Sequence, residues 1–129
     1  MPSLPDSHSD LLDAPGVASL STLGADAYPQ VTAIWFMREG DTVVTSLTAS
    51  RQKLKNLVRH PKATLFLLDP TNPYRTLEIR ADVTIEDDPD LTTLQALLAK
   101  YGTDLDSFSG PKEDRRRVTL TPHHVVANG

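Results

Sequence analysis

The chain has no cysteine among its 129 residues. That absence excludes a disulfide scaffold, a thiol nucleophile and a cysteine-ligated zinc site together, and it is compatible with a reducing cytoplasm. Long apolar runs are missing as well: nothing approaches the ~18 consecutive apolar residues of a membrane span. Met1 to Asp10 is polar and has neither the basic nor the apolar segment of a secretion signal. The expectation is a soluble, cytoplasmic protein. An excess of positive charge is also lacking, since 13 Lys and Arg stand against 17 Asp and Glu and leave a formal net charge of -4. A general nucleic-acid binder usually carries the opposite sign. There is no G-x-S-x-G, H-E-x-x-H or P-loop pattern to support a hydrolase or NTPase. No repeat or low-complexity tract appears, and the length suits one domain over residues 1–129 with a core that needs no disulfide or metal.

Against this acidic background one segment is locally basic, Thr42 to Asp69, TVVTSLTASRQKLKNLVRHPKATLFLLD. Thr42 to Leu47 is rich in β-branched residues, and Ala63 to Leu68 is a continuous apolar run of the kind a strand buried on both faces shows. Between them the pattern predicts a helix over Arg51 to His60, with Ser50 as its N-cap and Pro61 as its stop. On a helical wheel Leu54, Leu57 and Val58 form the apolar face, with Arg51 and Lys53 on its flanks at the N-terminal end. Cations at the positive end of a helix dipole are unfavourable unless an anion sits there, so the local cost argues for a phosphate-like ligand. A solvated basic face is the competing reading, and Lys55 and Arg59 fit it.

Elsewhere strand signals dominate. Ser7 to Ala14 reads as a short helix stopped by Pro15-Gly16, and Val17 to Leu23 as a strand. A turn at Gly24 to Ala27 leads into Gln30 to Met37, and Arg38 to Asp41 turns into the strand from Thr42, so the spacing predicts a three-strand meander. After a rigid loop at Pro70 to Pro73, Tyr74 to Glu86 alternates with Leu77, Ile79, Ala81, Val83 and Ile85 on one face. Asp88 or Asp90 caps a helix to Tyr101 whose stripe is Leu91, Leu94, Leu98 and Tyr101. Gly102 to Glu113 is a polar loop, and Arg117 to Val126 is a closing strand bent at Pro122. About six strands with short helical inserts point to a mainly β, closed antiparallel barrel.

Tyr28-Pro29-Gln30, Ser50-Arg51-Gln52-Lys53 with Asn56-Leu57, and Asp69-Pro70-Thr71-Asn72-Pro73-Tyr74-Arg75 occur in an order that resembles the pyridoxamine 5'-phosphate oxidase-like split barrels. More narrowly the chain resembles their branch that uses the deazaflavin coenzyme F420, over about Leu11 to Val126. The resemblance implies a homodimer with two cofactor sites in the clefts between subunits. Physical reasoning agrees on the location, because a barrel of about six strands is filled by its own side chains and has no room for a tricyclic ring. Ala63 to Leu68, together with the run from Val31 to Met37, also leaves more apolar surface than one small barrel needs, and a dimer would bury it.

Carried over by position, Arg51 and Lys53 would pair with the cofactor phosphate or with the carboxylates of an F420 tail. Asn56, one turn beyond Lys53, would hold Lys53 or reach the cofactor, though its wheel position equally allows exposure. Thr45 and Ser46 would offer hydroxyl or backbone contacts to the polar edge of the ring. Gln30, Thr32, Ile34 and Trp35 belong to the strand beside the ring in relatives; Trp35 reads also as a core or dimer-interface anchor. Tyr74 and Arg75 would reach the partner subunit's cofactor, or form an ordinary loop.

Other signals have simpler explanations. His123-His124 point to opposite faces if in a strand, with no third ligand for a metal. Asp87, Asp88 and Asp90, like Asp104 and Asp106, are accounted for by turns and capping. Arg115-Arg116-Arg117 would bind an anionic tail from across the dimer, or balance the acidic surface. The oxidase branch acting on pyridoxamine phosphate has an Arg where Gln30 stands and a C-terminal Arg-x-His element that this tail lacks, so that activity is not expected. The resemblance implies an F420-dependent reductase that passes hydride to a small electrophilic acceptor; such chemistry needs no dedicated catalytic side chain, and the sequence designates none. An FMN-binding oxidoreductase and a non-catalytic F420 carrier or sensor are the alternatives.

Overall fold

In the computed structural model, which describes residues 2–129, seven strands form one sheet: β1 (Ala18–Leu23), β2 (Pro29–Ile34), β3 (Met37–Glu39), β4 (Thr42–Thr48), β5 (Lys62–Asp69), β6 (Asn72–Asp87) and β7 (Arg115–Asn128). Every neighbouring pair is antiparallel, and the order across the sheet is β2-β1-β5-β6-β7-β4-β3. The two edge strands, β2 and β3, are consecutive in the chain and separated only by Trp35 and Phe36. Three Cα steps of about 3.8 Å leave Ile34 and Met37 no more than about 11 Å apart. The sheet must therefore curl until its edges meet, and the result is a split barrel with short helical inserts.

This closure corrects the expected meander. β1–β2 and β3–β4 are hairpins, but β2 and β3 do not pair, and the run from Gln30 to Met37 breaks in the middle. No Gly or Pro marks the break, because it is imposed from outside. The Phe36 N–H donates to the Tyr101 hydroxyl at 3.1 Å, while the Phe36 carbonyl accepts from Lys100 Nζ at 2.8 Å. Lys100 also donates to the Leu12 carbonyl at 2.8 Å, and the Tyr101 hydroxyl donates to Gly16 O at 2.7 Å. Side chains thus satisfy backbone groups that no strand pairs, as burial of a backbone amide demands.

Inside the barrel Leu20, Phe36, Leu65, Leu77, Ile79, Val118 and Leu120 are fully buried. β6 alternates as its sequence does, with Leu77, Ile79 and Ala81 inward. A 3-10 turn at Asp6–His8 and helix α1 (Ser9–Asp13) bring Leu11 and Leu12 into the same core. β5 departs from the reading as a strand buried on both faces: Ala63, Leu65 and Leu67 point inward, whereas Phe66 and Leu68 are 40% and 50% exposed. A continuous apolar run does not distinguish burial on two faces from burial on one face beside an uncovered apolar one.

Helix α2 spans Gln52–Arg59, and its N-cap residue is Arg51, extended and without a side-chain capping bond. Ser50 is therefore not the cap; the chain turns before it, and Arg51 N–H donates to the Thr48 carbonyl at 3.1 Å. Val58, placed on the apolar face by the wheel, is 69% exposed, and the helix buries Lys53, Leu54, Asn56 and Leu57 instead. Helix α3 (Thr92–Lys100) follows Asp88, whose buried carboxylate accepts from the Thr93 and Leu94 amides at 3.2 Å each. In β7 the register shifts opposite Arg80/Ala81, so the bend expected at Pro122 is a bulge that leaves His123 without a partner across the ladder.

Candidate functional site: a cationic cleft

A cleft of ≈ 330 Å³ opens between the end of β2 and the second half of β4. Ala33, Ile34 and Trp35 form one side, and Thr45 to Thr48 of β4 the floor. Arg51 and Lys53 enter from the start of α2, Leu94, Leu97 and Leu98 from α3, Phe108 to Pro111 from the loop, and Arg115 from the first position of β7. The volume lies within the range of small-molecule sites.

Lys53 is only 8% exposed, and its Nζ stands 3.3 Å from the Thr32 hydroxyl. Burial pushes the ammonium below the ordinary lysine range, and the charge of Arg51 pushes it further. Arg115 is half-buried: Nε donates to Pro111 O at 2.8 Å, Nη1 lies 3.3 Å from Ser46 O, and the guanidinium sits 5.2 Å from the Phe108 ring centroid. Burial and then Arg51 lower it too, against a weaker pull from Asp88. Among the described residues none of Arg51, Lys53 and Arg115 has a carboxylate within 4.0 Å. Arg51 is exposed, but Lys53 and Arg115 are like charges partly withdrawn from water with no counterion, and an anion entering the cleft would offset that cost. One further group is uncompensated. The Thr48 hydroxyl, in the wall of the same cleft, is buried with no hydrogen-bond partner, a state that costs about 1–3 kcal/mol.

The remaining expected site residues divide clearly. Trp35 and Ser46 line the cleft beside Arg51 and Lys53, and so does Thr45, whose hydroxyl is occupied by the Trp35 carbonyl at 2.7 Å. Trp35 stacks on Tyr101, with centroids 4.3 Å apart and 4° between planes. Thr32 reaches the site only through Lys53. Asn56 neither holds Lys53 nor faces water. It is 1% exposed, donates to Thr22 Oγ1 at 3.1 Å and Gln30 Oε1 at 2.9 Å, and accepts from Gln52 Nε2 at 2.9 Å. Asn56 and Gln30 thus join α2 to β1 and β2 behind the cleft. Ser50 is exposed in the turn before α2.

Tyr74 and Arg75 lie outside the cleft. Tyr74 is 84% exposed. Arg75 pairs with Asp10 at 2.5 Å and Asp69 at 3.0 Å and donates to Ser7 O at 2.7 Å, pinning the N-terminal segment to the β5–β6 turn. These hydrogen bonds hold the Arg75 pKa up and that of Asp10 down; Asp69 is lowered first by the Thr71 backbone amide and then by Arg75.

Of the triple arginine only Arg115 enters the cleft. Arg116 pairs with Asp87 at 3.1 Å and Arg117 with Glu39 at 2.6 Å. Arg115, Thr48 and Phe108 are among the cleft residues that the helix motif did not indicate. Their signals were weak: one Phe in a polar loop, a hydroxyl at the end of the strand feeding α2, and the first Arg of a basic triplet.

The chain belongs to the pyridoxamine 5'-phosphate oxidase family, whose sequence profile, described as "Pyridoxamine 5'-phosphate oxidase", matches residues 4–128. Among solved structures an F420 reductase superposes with a TM-score of 0.85 at 32% identity, covering 95% of this chain and 98% of its own. A conserved hypothetical protein from Mycobacterium tuberculosis gives a TM-score of 0.80 at 18% identity, with 97% and 84% of the two chains covered. A putative pyridoxamine 5'-phosphate oxidase from Listeria innocua gives 0.72 at 18% identity, with 95% of each chain covered. At that identity the last two show the fold alone. No curated protein matches the sequence significantly.

Proposed function

We propose that this protein is an oxidoreductase that binds coenzyme F420 in the cationic cleft and passes hydride between it and a small electrophilic organic acceptor. The observation that carries the reading is the pair of desolvated cations without a counterion, Lys53 and Arg115, beside the exposed Arg51 in a cleft that also holds an unpartnered hydroxyl. The likeness to a protein named F420 reductase, at 32% identity, supports F420 in particular.

The residues present suit such a group. Arg51 and Lys53 would neutralise its phosphate, and Trp35 with Leu94 and Leu97 would shield its less polar part from water. Reduced deazaflavin supplies the hydride when bound. Among the described residues, those that line the cleft include no carboxylate and no histidine. The chain's contribution is position and electrostatics, and the proton that completes the reduced acceptor would come from solvent.

The site is shared between two copies of this one-domain chain. Ala33, Ser19 and Phe66 stand in one row across β2, β1 and β5, with exposed Val31 on the adjacent row, and Ala33 also lines the cleft. A second copy covering this apolar face would border the cofactor cleft directly.

FMN is the second reading, favoured by the charge of the cleft, because a phosphomonoester brings two negative charges to three cations. Parallel titration of the apo-protein with oxidised F420, FMN and a nicotinamide cofactor separates them. F420 is expected to bind most tightly; a preference for FMN at equal ionic strength moves the assignment to the flavin.

A further inference from the structure

We propose that Arg115 is a further ligand to the anion in this cleft, and that through Arg115 the bound anion fixes the Phe108–Pro111 loop over the site. The proposal rests on the cleft being an anion site and adds to it a residue and a coupled segment.

Arg115 stands opposite Thr48 in the β4–β7 ladder, so the first residue of β7 meets the last residue of β4 at the cleft wall. Its guanidinium is underused. Nε is taken by Pro111 O at 2.8 Å, Nη1 makes only long contacts of 3.3 Å and 3.5 Å to Ser46 O and Oγ, and among the described residues Nη2 has no acceptor. A guanidinium carries five N–H donors in a fixed fork, and the fork left open here suits two oxygens of a phosphate. Arg51, Lys53 and Arg115 line the same cleft, so the three cations bear on one region. Beside them Thr48 offers a hydroxyl that is 3% exposed and has no partner.

The link to the loop is equally specific. Phe108 folds back over Gly110, where a Cβ would come within 2.5 Å of its ring. The ring lies under the Arg115 guanidinium at 5.2 Å, and the Pro111 carbonyl is held by Arg115 Nε. One side chain therefore carries the open fork and the anchor of the loop together. An oxygen drawn onto Nη2 fixes the guanidinium plane, and with it Phe108 and Pro111.

The test uses inorganic pyrophosphate and F420 as probes on the wild type, Arg115→Gln, Arg115→Lys and Lys53→Ala. Calorimetry gives affinity and hydrogen exchange follows the amides of Ser107 to Gly110. Pyrophosphate is expected to slow exchange in this segment of the wild type. Arg115→Gln is expected to bind about tenfold or more weakly and to show no protection of the loop at saturation. Arg115→Lys recovers part of the affinity but not the protection, because an ammonium lacks the fork; it also serves if the glutamine variant does not fold. Lys53→Ala binds weakly yet keeps the protection once saturated. Wild-type affinity in Arg115→Gln, or loop protection in both Arg115 variants equal to that of the wild type, overturns the role of Arg115 while Lys53→Ala still reports on the anion site. A wild type that binds neither probe overturns both.

Discussion

Lys53 presents its ammonium to the Thr32 hydroxyl at 3.3 Å, where an ordinary buried lysine would meet a carboxylate. A hydroxyl satisfies one N–H and offsets little of the desolvation, which is why burial, aided by Arg51, holds this lysine below its usual range. Anion binding reverses that shift. At alkaline pH below the ordinary lysine range, wild-type protein is expected to take up protons as it binds pyrophosphate, measured as a dependence of the calorimetric heat on buffer ionisation enthalpy. Lys53→Ala should show little uptake, and equal uptake in both proteins would locate the titrating group elsewhere.

Asn56 belongs to the scaffold of the site. It bridges Thr22, Gln30 and Gln52 from a position 1% exposed. Asn56→Ala strands those partners and is expected to cost about 1–3 kcal/mol in urea unfolding. Its affinity for the cofactor, measured where the variant is fully folded, should stay within a few-fold of wild type.

Lys100 closes the barrel with a charge. Burial pushes its ammonium down to about 8, against the pull of Asp13, while its Nζ donates to Leu12 O and Phe36 O and lies 3.9 Å over the Phe36 ring. A lysine depressed in the folded state binds fewer protons there than in the unfolded chain once the pH exceeds the folded value. Stability from this group therefore rises between about pH 8 and pH 10 and is flat below. Thermal unfolding of wild type against Lys100→Met across that range should show a relative gain for the wild type of order 1 kcal/mol; parallel curves would contradict it.

The exposed apolar row is expected to be a contact between two copies. Phe66→Glu, on the face that leaves Phe66 40% exposed, should shift sedimentation from dimer to monomer and weaken F420 binding, while the core beneath, Leu65 and Leu67, remains packed. A wild type that sediments as a monomer at micromolar concentration would count against both the interface and the shared site.

Much of this architecture was legible in the chain because local chemistry and final structure agree. The alternation from Leu77 to Ile85, the cap at Asp88 and the bend beside Pro122 each follow from residues within one element. What escaped depends on contacts remote in sequence. Nothing near Trp35 and Phe36 signals a strand break; Lys100 and Tyr101, some 65 residues on, impose it. Ser50 had the chemistry of a cap, but the turn made by Arg51 on Thr48 moved the helix start past it. In the site, the helix motif exposed Arg51 and Lys53 because both lie on one short segment. Arg115 stood out only as one of a basic triplet and Thr48 not at all, because their meeting depends on the β4–β7 register, which no local pattern encodes.

The most direct test of the central claim is the affinity of wild type, Lys53→Ala and Lys55→Ala for F420 and FMN at one moderate salt concentration. Lys53 is buried in the cleft and Lys55, two residues on, is exposed, so the pair matches charge and helix while differing in position. Loss of a charge-assisted hydrogen bond worth roughly 1.5–3 kcal/mol should weaken Lys53→Ala about tenfold to a hundredfold and leave Lys55→Ala near wild type. If Lys53→Ala binds both cofactors as the wild type does, the cleft is not the cofactor site.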